Sequence, residues 1–470
     1  MTLAERTVAP DLQAAFAPLF ARIGSRVGRT LVSLSVPVQG VDPVALFGMA
    51  RPLGASFWMQ PDAGTSLVGI GEAWAARQGH EARFGIISVA WRMLLEDAIV
   101  DTASAPRGAG PVLLGGFGFD EEPPDSETWQ GFEAGCMVLP ALLLTTTPAG
   151  SWLTASILVE PGGAAPGTMA LSLNETWAHL AATQARAAGP SHQRLKVTGQ
   201  APDAATWRAS VARLAGAVGR GRLDKAVLSR AVSLQAASDI DIGAVLRRLQ
   251  ISAPESTVFA FGRGARTFLG ATPERLVSLT GRELRTMAMA GSTPRGADDA
   301  ADDKLAADLL ASDKEREEHA VVVTMLREAL APVAEELSIP REPRVARFRH
   351  VQHLLTPVSG RLRDEADVLT LVERLHPTPT VGGTPRELAL ELIAEEETHE
   401  RGWYAGPVGW VDRDGDGDFV VALRSGVVHG DRATLFAGCG IVADSDPERE
   451  WDESATKLLA LGSALGQVEA

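Results

Sequence analysis

SDKEREEHAVVV, Ser312 to Val323, sets Glu315 and Glu318 three residues apart with His319 directly after, and SDPEREWDESATKL, Ser445 to Leu458, repeats the spacing with Glu450 and Glu453. On a helix, Glu315, Glu318 and Val322 share one face, while Glu317 is rotated roughly 100° away. In the second stretch Asp446 is a good N-cap and Pro447 suits the first helical position, so a helix starts there and Glu450, Glu453 and Lys457 line one stripe. Two solvated faces would leave the fold undetermined. Two halves of one metal site would force helices far apart in sequence to meet. Paired carboxylates on facing stripes suit a hard cation such as Mg²⁺, which keeps waters and takes one or two direct carboxylates. A charged helical stripe is nevertheless usually a solvated face, so spacing alone leaves both readings open.

Composition narrows the partners. The chain of 470 residues is 45% hydrophobic, enough for a large core in one two-layer domain or two to three smaller ones. A net charge of −15 argues against nucleic acid and anionic membrane as partners. Cys136 and Cys439 give neither a disulfide framework nor a zinc pattern, which suits a reducing cytosol. Residues 1–30 lack a basic start followed by an unbroken apolar core, so no signal peptide is read, and the longest strongly apolar run, Met137 to Leu144, is too short for a membrane helix. Lysine stands only at Lys196, Lys225, Lys304, Lys314 and Lys457. Arginine cannot give up its proton and lysine can, so a lysine kept among arginines marks a position where an amine is needed.

Residues 1 to about 185 read as alternating short strands and helices. LLGGFGFD, Leu113 to Asp120, lacks the full GxGxxG spacing and reads as a strand end. The turn-rich passage Ala187 to Trp207 reads as a connector between halves. A helix follows, then a strand over Leu223–Leu234, a hairpin within Ser256–Leu279, a long helical region from about Asp302 to Leu337, and a helix from Pro447. VDRDGDGDF, Val411 to Phe419, begins like an EF-hand loop, but its twelfth position is Leu423 and strands flank it, so it reads as a hairpin turn.

A resemblance now decides between the two readings. LDKAVLSR, GATPERL, AMAGSTPRG, SDKEREEH, VQHLLTPVSG, LHPTPTVGGTPRE, ERGWYAGPVGWVD, VVALRSG and LFAGCGIVADSDPEREWDESATKL, in this order, resemble the chorismate-utilising enzymes, a family including isochorismate, salicylate, anthranilate and aminodeoxychorismate synthases. The N-terminal part resembles them only loosely. The implied fold is α+β, like anthranilate synthase component I: two similar halves of packed antiparallel sheets covered by helices. An N-terminal half, 1–200, and a chorismate-binding region, 201–470, would form one integrated two-lobed unit. The resemblance maps the metal site onto Glu318 and Glu453, with Glu315 and Glu450 in support, binding Mg²⁺ that receives the ring carboxylate of the substrate. A divalent ion among acids inverts the local field, which lets an acidic chain hold an anion. Backbone amides at Gly291 and Ser292 and the amine of Lys457 resemble the groups completing that cradle. Tyr404, the only tyrosine, and Arg424 resemble the pair gripping the enolpyruvyl carboxylate. Gly438 and Gly440 would let backbone approach it. His353 resembles an active-site histidine near the ring, with a satisfied core histidine as the alternative.

Lys225 matches the lysine by which water-adding members activate water for attack at ring C2; the ammonia-using branches carry another residue there and draw on a glutaminase partner. Glu274 resembles the general acid that protonates the departing C4 hydroxyl, a role that needs a raised pKa. The implied reaction is the interconversion of chorismate and isochorismate, by a cytoplasmic monomer without a glutaminase subunit. At Thr380 isochorismate synthases commonly have alanine and salicylate synthases threonine, so continuation to salicylate and pyruvate stands as the first alternative, followed by an ammonia-using synthase and a non-catalytic chorismate-binding protein. The pathway served, menaquinone, siderophore or salicylate, is not fixed by the sequence.

Overall fold

The computed structural model describes every residue except 1–9, 25–27, 80–81, 103–104, 184–192, 349–350, 364–365 and 470. Its frame is a 14-stranded sheet facing a 10-stranded one. Strand alternation explains the layers. In Thr257–Arg263, Phe259 and Phe261 enter the core shared by the two sheets, while Val258 and Ala260 enter a second core on the outer face of the large sheet. Successive side chains point to opposite faces, so one strand feeds both cores. The second core is closed by helices including Pro43–Ala50, Pro166–Thr183, Ile242–Ser252 and Pro447–Leu465. The helices Arg83–Glu96, Asp313–Leu330 and Val368–Leu375 contribute to the shared core. Full burial of each Phe contributes about 1.5–3 kcal/mol. The expected α+β architecture of packed, mainly antiparallel sheets under helices is the one observed. Two described pairings are parallel: Thr30–Val38 with Ile99–Asp101 and Gln193–Ala201 with Gly466–Glu469.

Both sheets mix strands from before and after residue 200. Thr257–Arg263 pairs with Ala55–Gln60 in one sheet, and Pro407–Asp412 with Val112–Phe117 in the other. Position 200 itself falls inside the strand Gln193–Ala201.

Two sequence expectations are corrected. Of the Ala187–Trp207 connector, 187–192 lie outside the described residues, as do 1–9 of the segment read for a leader. The rest is a nine-residue strand and the start of the helix Ala204–Gly219, not a loop. Its Leu195 and Val197 fit a ladder against Lys225–Ala236, and a register shift between Val197 and Gly199 accommodates the glycine that made the segment look turn-like. The helical region Asp302–Leu337 is two helices, Asp299–Ala311 and Asp313–Leu330, followed by the strand Ala334–Ser338. Ser312 breaks it: in an extended conformation (φ −74°, ψ 112°), it caps the second helix by accepting from the N–H of Glu315.

Candidate active site

The two acidic helices are docked by their buried faces. His319 Nδ1 lies 3.2 Å from the Ala290 carbonyl and its Nε2 2.8 Å from the Thr356 hydroxyl, pinning the Asp313–Leu330 helix to two strands of the smaller sheet. Val322 of the expected stripe is buried, with Glu318 half-buried one turn earlier and Glu315 half-buried two turns earlier. In the other helix Asp446 accepts from Glu448 and Arg449 N–H, as its capping role requires. Arg230, in the strand Lys225–Ala236, donates to the Ser454 hydroxyl at 2.7 Å and stacks 3.8 Å from the Trp451 ring, which seats this helix on the large sheet. The ion pair of Lys314 with Asp444, 2.8 Å, joins the helix start of one to the approach of the other.

Lys225 opens its strand with the side chain 15% exposed, and its amine contacts Glu318. A Cβ at Gly440 would meet Lys225 Cε at 2.4 Å. Any side chain at 440 would displace the amine, so the glycine serves Lys225, a reason the sequence did not show. Lys457 pairs with Glu453 at 2.6 Å and donates to the Gly438 carbonyl at 2.9 Å. A Cβ on Gly438 would lie 3.2 Å from the Tyr404 hydroxyl. Tyr404 is buried and stacks on Phe436, and burial raises its pKa. Arg424 has φ +50° and Ala405, next to Tyr404, φ +61°. Such non-glycine residues cost about 1–3 kcal/mol each and concentrate at functional sites.

Ser292 N–H donates to Glu315 at 3.1 Å rather than pointing to open space, and Gly291, at φ +76°, admits that approach because a Cβ would meet the Glu315 carboxylate at 3.0 Å. His353 Nδ1 lies 3.3 Å from the Gly291 carbonyl, and burial with the nearby Arg424 lowers its pKa to about 4, so its ring is neutral at neutral pH. Glu274 is buried, and burial raises its pKa against the opposing Thr380 hydrogen bond and the charges of Arg424, Lys225 and Lys457. The charges of Lys457, Arg424 and Lys225 act on Glu453 as well and outweigh its burial, lowering its pKa. The same cations acting on groups from separate segments place Lys225, Glu274, His353, Arg424, Glu453 and Lys457 in one neighbourhood.

The four acids meet the charge requirement of a divalent cation but are not drawn to one point. Glu315 is raised by burial and by Glu318, and Glu450 by burial and by Glu453, while Glu453 itself is lowered by its cations. Among the described residues, the group of three ligand atoms within 4.8 Å is Cys439, Glu450 and Glu453. Cys439 is no ligand for a hard ion: burial pushes its thiol up to about 12, and its S–H donates to the Glu450 carbonyl. All-carboxylate donors fit Mg²⁺. Glu318 is engaged by Lys225 on the other wall.

Sequence reasoning missed the layer behind these groups. Glu397 is buried, and its pairing with Arg401 outweighs that burial to lower its pKa. Glu397 also accepts from Ser229 N–H at 2.7 Å, while Arg401 donates to the Val381 carbonyl at 2.8 Å, tying the Thr380 segment to the Lys225 strand. Thr378 also went unnoticed, although it lies inside HPTPTVGG. Arg401 stood in the ERGWYAG stretch, whose order could have signalled it.

A two-sheet α+β fold here brings charged groups from many segments into one neighbourhood, an arrangement suited to holding a small charged molecule. The chain belongs to the chorismate-binding enzymes: a family model described as "Chorismate binding enzyme" matches residues 19–466. A Pseudomonas aeruginosa protein named "Salicylate biosynthesis isochorismate synthase" is 38% identical over 446 residues, 93% of this chain and 90% of that one. The solved structure of MenF, described as the menaquinone-specific isochorismate synthase from Escherichia coli, superposes with a TM-score of 0.78 at 26% identity, covering 97% of this chain and 100% of that one. Anthranilate synthase component I from Streptococcus pneumoniae, 20% identical with a TM-score of 0.64 over 98% of this chain and 100% of that one, shares the fold.

Proposed function

We propose that this protein is an isochorismate synthase, interconverting chorismate and isochorismate. The observation that carries the reading is that the charge of the Lys225 amine acts on Glu274, a buried acid of raised pKa, together with those of Arg424 and Lys457. Lys225 takes a proton from water as its oxygen bonds to ring C2. The ring double bonds shift, the C4–oxygen bond breaks, and Glu274 delivers its proton to the departing hydroxyl. Each group contributes on the order of 10²- to 10⁴-fold in rate. Tyr404 and Arg424 hold the enolpyruvyl carboxylate, and neutral His353 lies beside the ring. Glu318 and Glu453, supported by Glu315 and Glu450, would hold Mg²⁺, which when bound supplies the positive charge for the ring carboxylate. Lys457 and the backbone at Gly291, Ser292, Gly438 and Gly440 complete the binding surface.

Among the described residues no helix is long and apolar enough to cross a membrane. We place the enzyme in the cytosol, acting as a monomer without a glutaminase subunit. Incubation of the purified protein with chorismate and Mg²⁺, with products resolved chromatographically, tests the reading. Isochorismate is expected; anthranilate formed solely from added ammonia overturns it. Pyruvate released without an added lyase would assign the salicylate synthase activity instead.

A further inference from the structure

Thr380 does not stand alone beside Glu274. Its hydroxyl donates to Glu274 Oε1 at 2.7 Å and lies 2.6 Å from the Thr378 hydroxyl. A hydroxyl has one hydrogen. If Thr380 gives its hydrogen to Glu274, the hydrogen in the second contact comes from Thr378, and the chain runs Thr378 to Thr380 to Glu274 Oε1 in one direction. A carboxylic acid whose Oε1 accepts carries its own proton on Oε2. The space on this flank is about 10 Å³, walled by Met287, Met289, Val322 and Leu326, at the lower limit for one water. The other polar residues lining this space are engaged elsewhere, Thr286 donating to the Leu276 carbonyl and Arg275 pairing with Asp418, which leaves the two threonines to serve the acid.

We propose that Thr378 and Thr380 are positioning residues that fix the transferable proton of Glu274 on Oε2. The proposal rests on the reading of Glu274 as the general acid and adds what selects its reacting oxygen. It also bears on the product. With its hydrogen engaged by Glu274, the Thr380 hydroxyl has none to offer the enolpyruvyl group.

The charges facing Glu274 are Arg424, Lys225 and Lys457, which favour its ionised form, as does the Thr380 bond. Arg275 beside it pairs with Asp418, 3.4 Å. Removing the Thr380 hydroxyl should therefore move the alkaline limb of kcat to higher pH while lowering the plateau. The test compares Thr380→Val, Thr380→Ser and Thr378→Val in kcat and KM against pH, together with the infrared band of the protonated Glu274 carboxyl, identified by its loss in Glu274→Gln. For Thr380→Val we expect kcat down on the order of 10-fold, the worth of one hydrogen bond of about 1.4 kcal/mol. KM should stay within about twofold, since the interaction serves the acid and not ground-state binding. The carboxyl C=O band should move to higher frequency. Thr380→Ser should restore the band and the rate, and Thr378→Val should fall between. A Thr380→Val enzyme with the wild-type pH profile and an unmoved band overturns the proposal. A wild type that forms no isochorismate defeats the activity reading instead, and the infrared comparison still decides where the proton sits.

Discussion

Two acid clusters of similar composition sit in different parts of this molecule. In the hairpin between Pro407–Asp412 and Gly417–Val421, Asp412 Oδ1 accepts from Asp414 and Asp416 N–H at 3.0 Å each, and Asp416 accepts from Gly281 N–H at 2.7 Å. At the two helix starts, Glu318 and Glu453 are instead met by the amines of Lys225 and Lys457. The hydrogen bonds given to the first set come from backbone amides, which cannot leave, although Asp416 Oδ1 is buried with no partner among the described residues. The second is met by mobile amines as well as by Ser292 N–H at Glu315, and in both sets burial and neighbouring acids raise some of the carboxyls, Asp412 in the first and Glu315 and Glu450 in the second. Acid density is common to both; what distinguishes the hairpin turn from the proposed reactive centre is whether the compensating groups are mainly fixed dipoles or movable charges.

The severest way to break this contrast is to remove the groups the helix cluster is proposed to serve. Lys225→Ala and Glu274→Gln should each cost on the order of 10²- to 10⁴-fold in kcat for isochorismate formation. The thermal midpoint of Glu274→Gln should stay near wild type, because the substitution is isosteric and keeps an oxygen to accept from the Thr380 hydroxyl. Activity retained in either variant would remove the centre from the helix cluster.

Metal dependence sharpens the contrast next. Glu315→Gln and Glu450→Gln should raise the Mg²⁺ concentration for half-activity by about 10- to 100-fold, as expected for groups supporting direct ligands. Asp412→Asn and Asp414→Asn should leave it unchanged. Equal sensitivity in the two clusters would erase the distinction.

The hairpin has its own signature in stability. Asp412→Ala leaves two N–H groups without their acceptor and should destabilise the protein by about 1–3 kcal/mol in denaturant unfolding, with kcat intact. Burial and Asp416 push the Asp412 carboxyl up to about 7 from 3.8. Between those values the folded state holds a proton that the unfolded chain has released, so the contribution of this group is full at low pH and is lost as pH rises through about 7. The stability of wild type minus that of Asp412→Asn should therefore fall as pH is raised from 6 to about 7.5 and flatten above. A rising difference would mean that the carboxylate, not the acid, is the form the hairpin holds.

What was legible in the sequence follows the same division. Helix faces, caps and alternating strands are local, and Asp446, the Glu315–Glu318 spacing and the hairpin within Ser256–Leu279 carried them, although the break Ser312 makes in the Asp302–Leu337 region was overlooked. The DRDGDGD turn was legible because its flanking strands are. The resemblance collected the candidate site residues, but it attached no geometry to them. That Gly440 makes room for the Lys225 stem, that Ser292 N–H serves Glu315, and that Thr378 backs Thr380 are consequences of close packing between segments. No spacing along the chain encodes such contacts, because the partners approach through register across strands and loops.

The smallest expected effect concerns the exposed pair Lys314–Asp444, which bridges the two helix starts with both side chains more than half exposed. Such pairs contribute about 0–1 kcal/mol and are screened by salt. Lys314→Ala should barely move the denaturant midpoint. Its influence on the site is electrostatic, since Lys314 also acts on Glu315 and lowers the pKa that burial and Glu318 have raised. The variant should bind Mg²⁺ slightly more tightly at low salt, having lost a competing cation, and the gain should vanish at about 1 M ionic strength, where screening reaches 3 Å. Tighter binding that persists in high salt would mean Lys314 acts by contact, and would tie the metal centre to the surface latch more closely than the charges require.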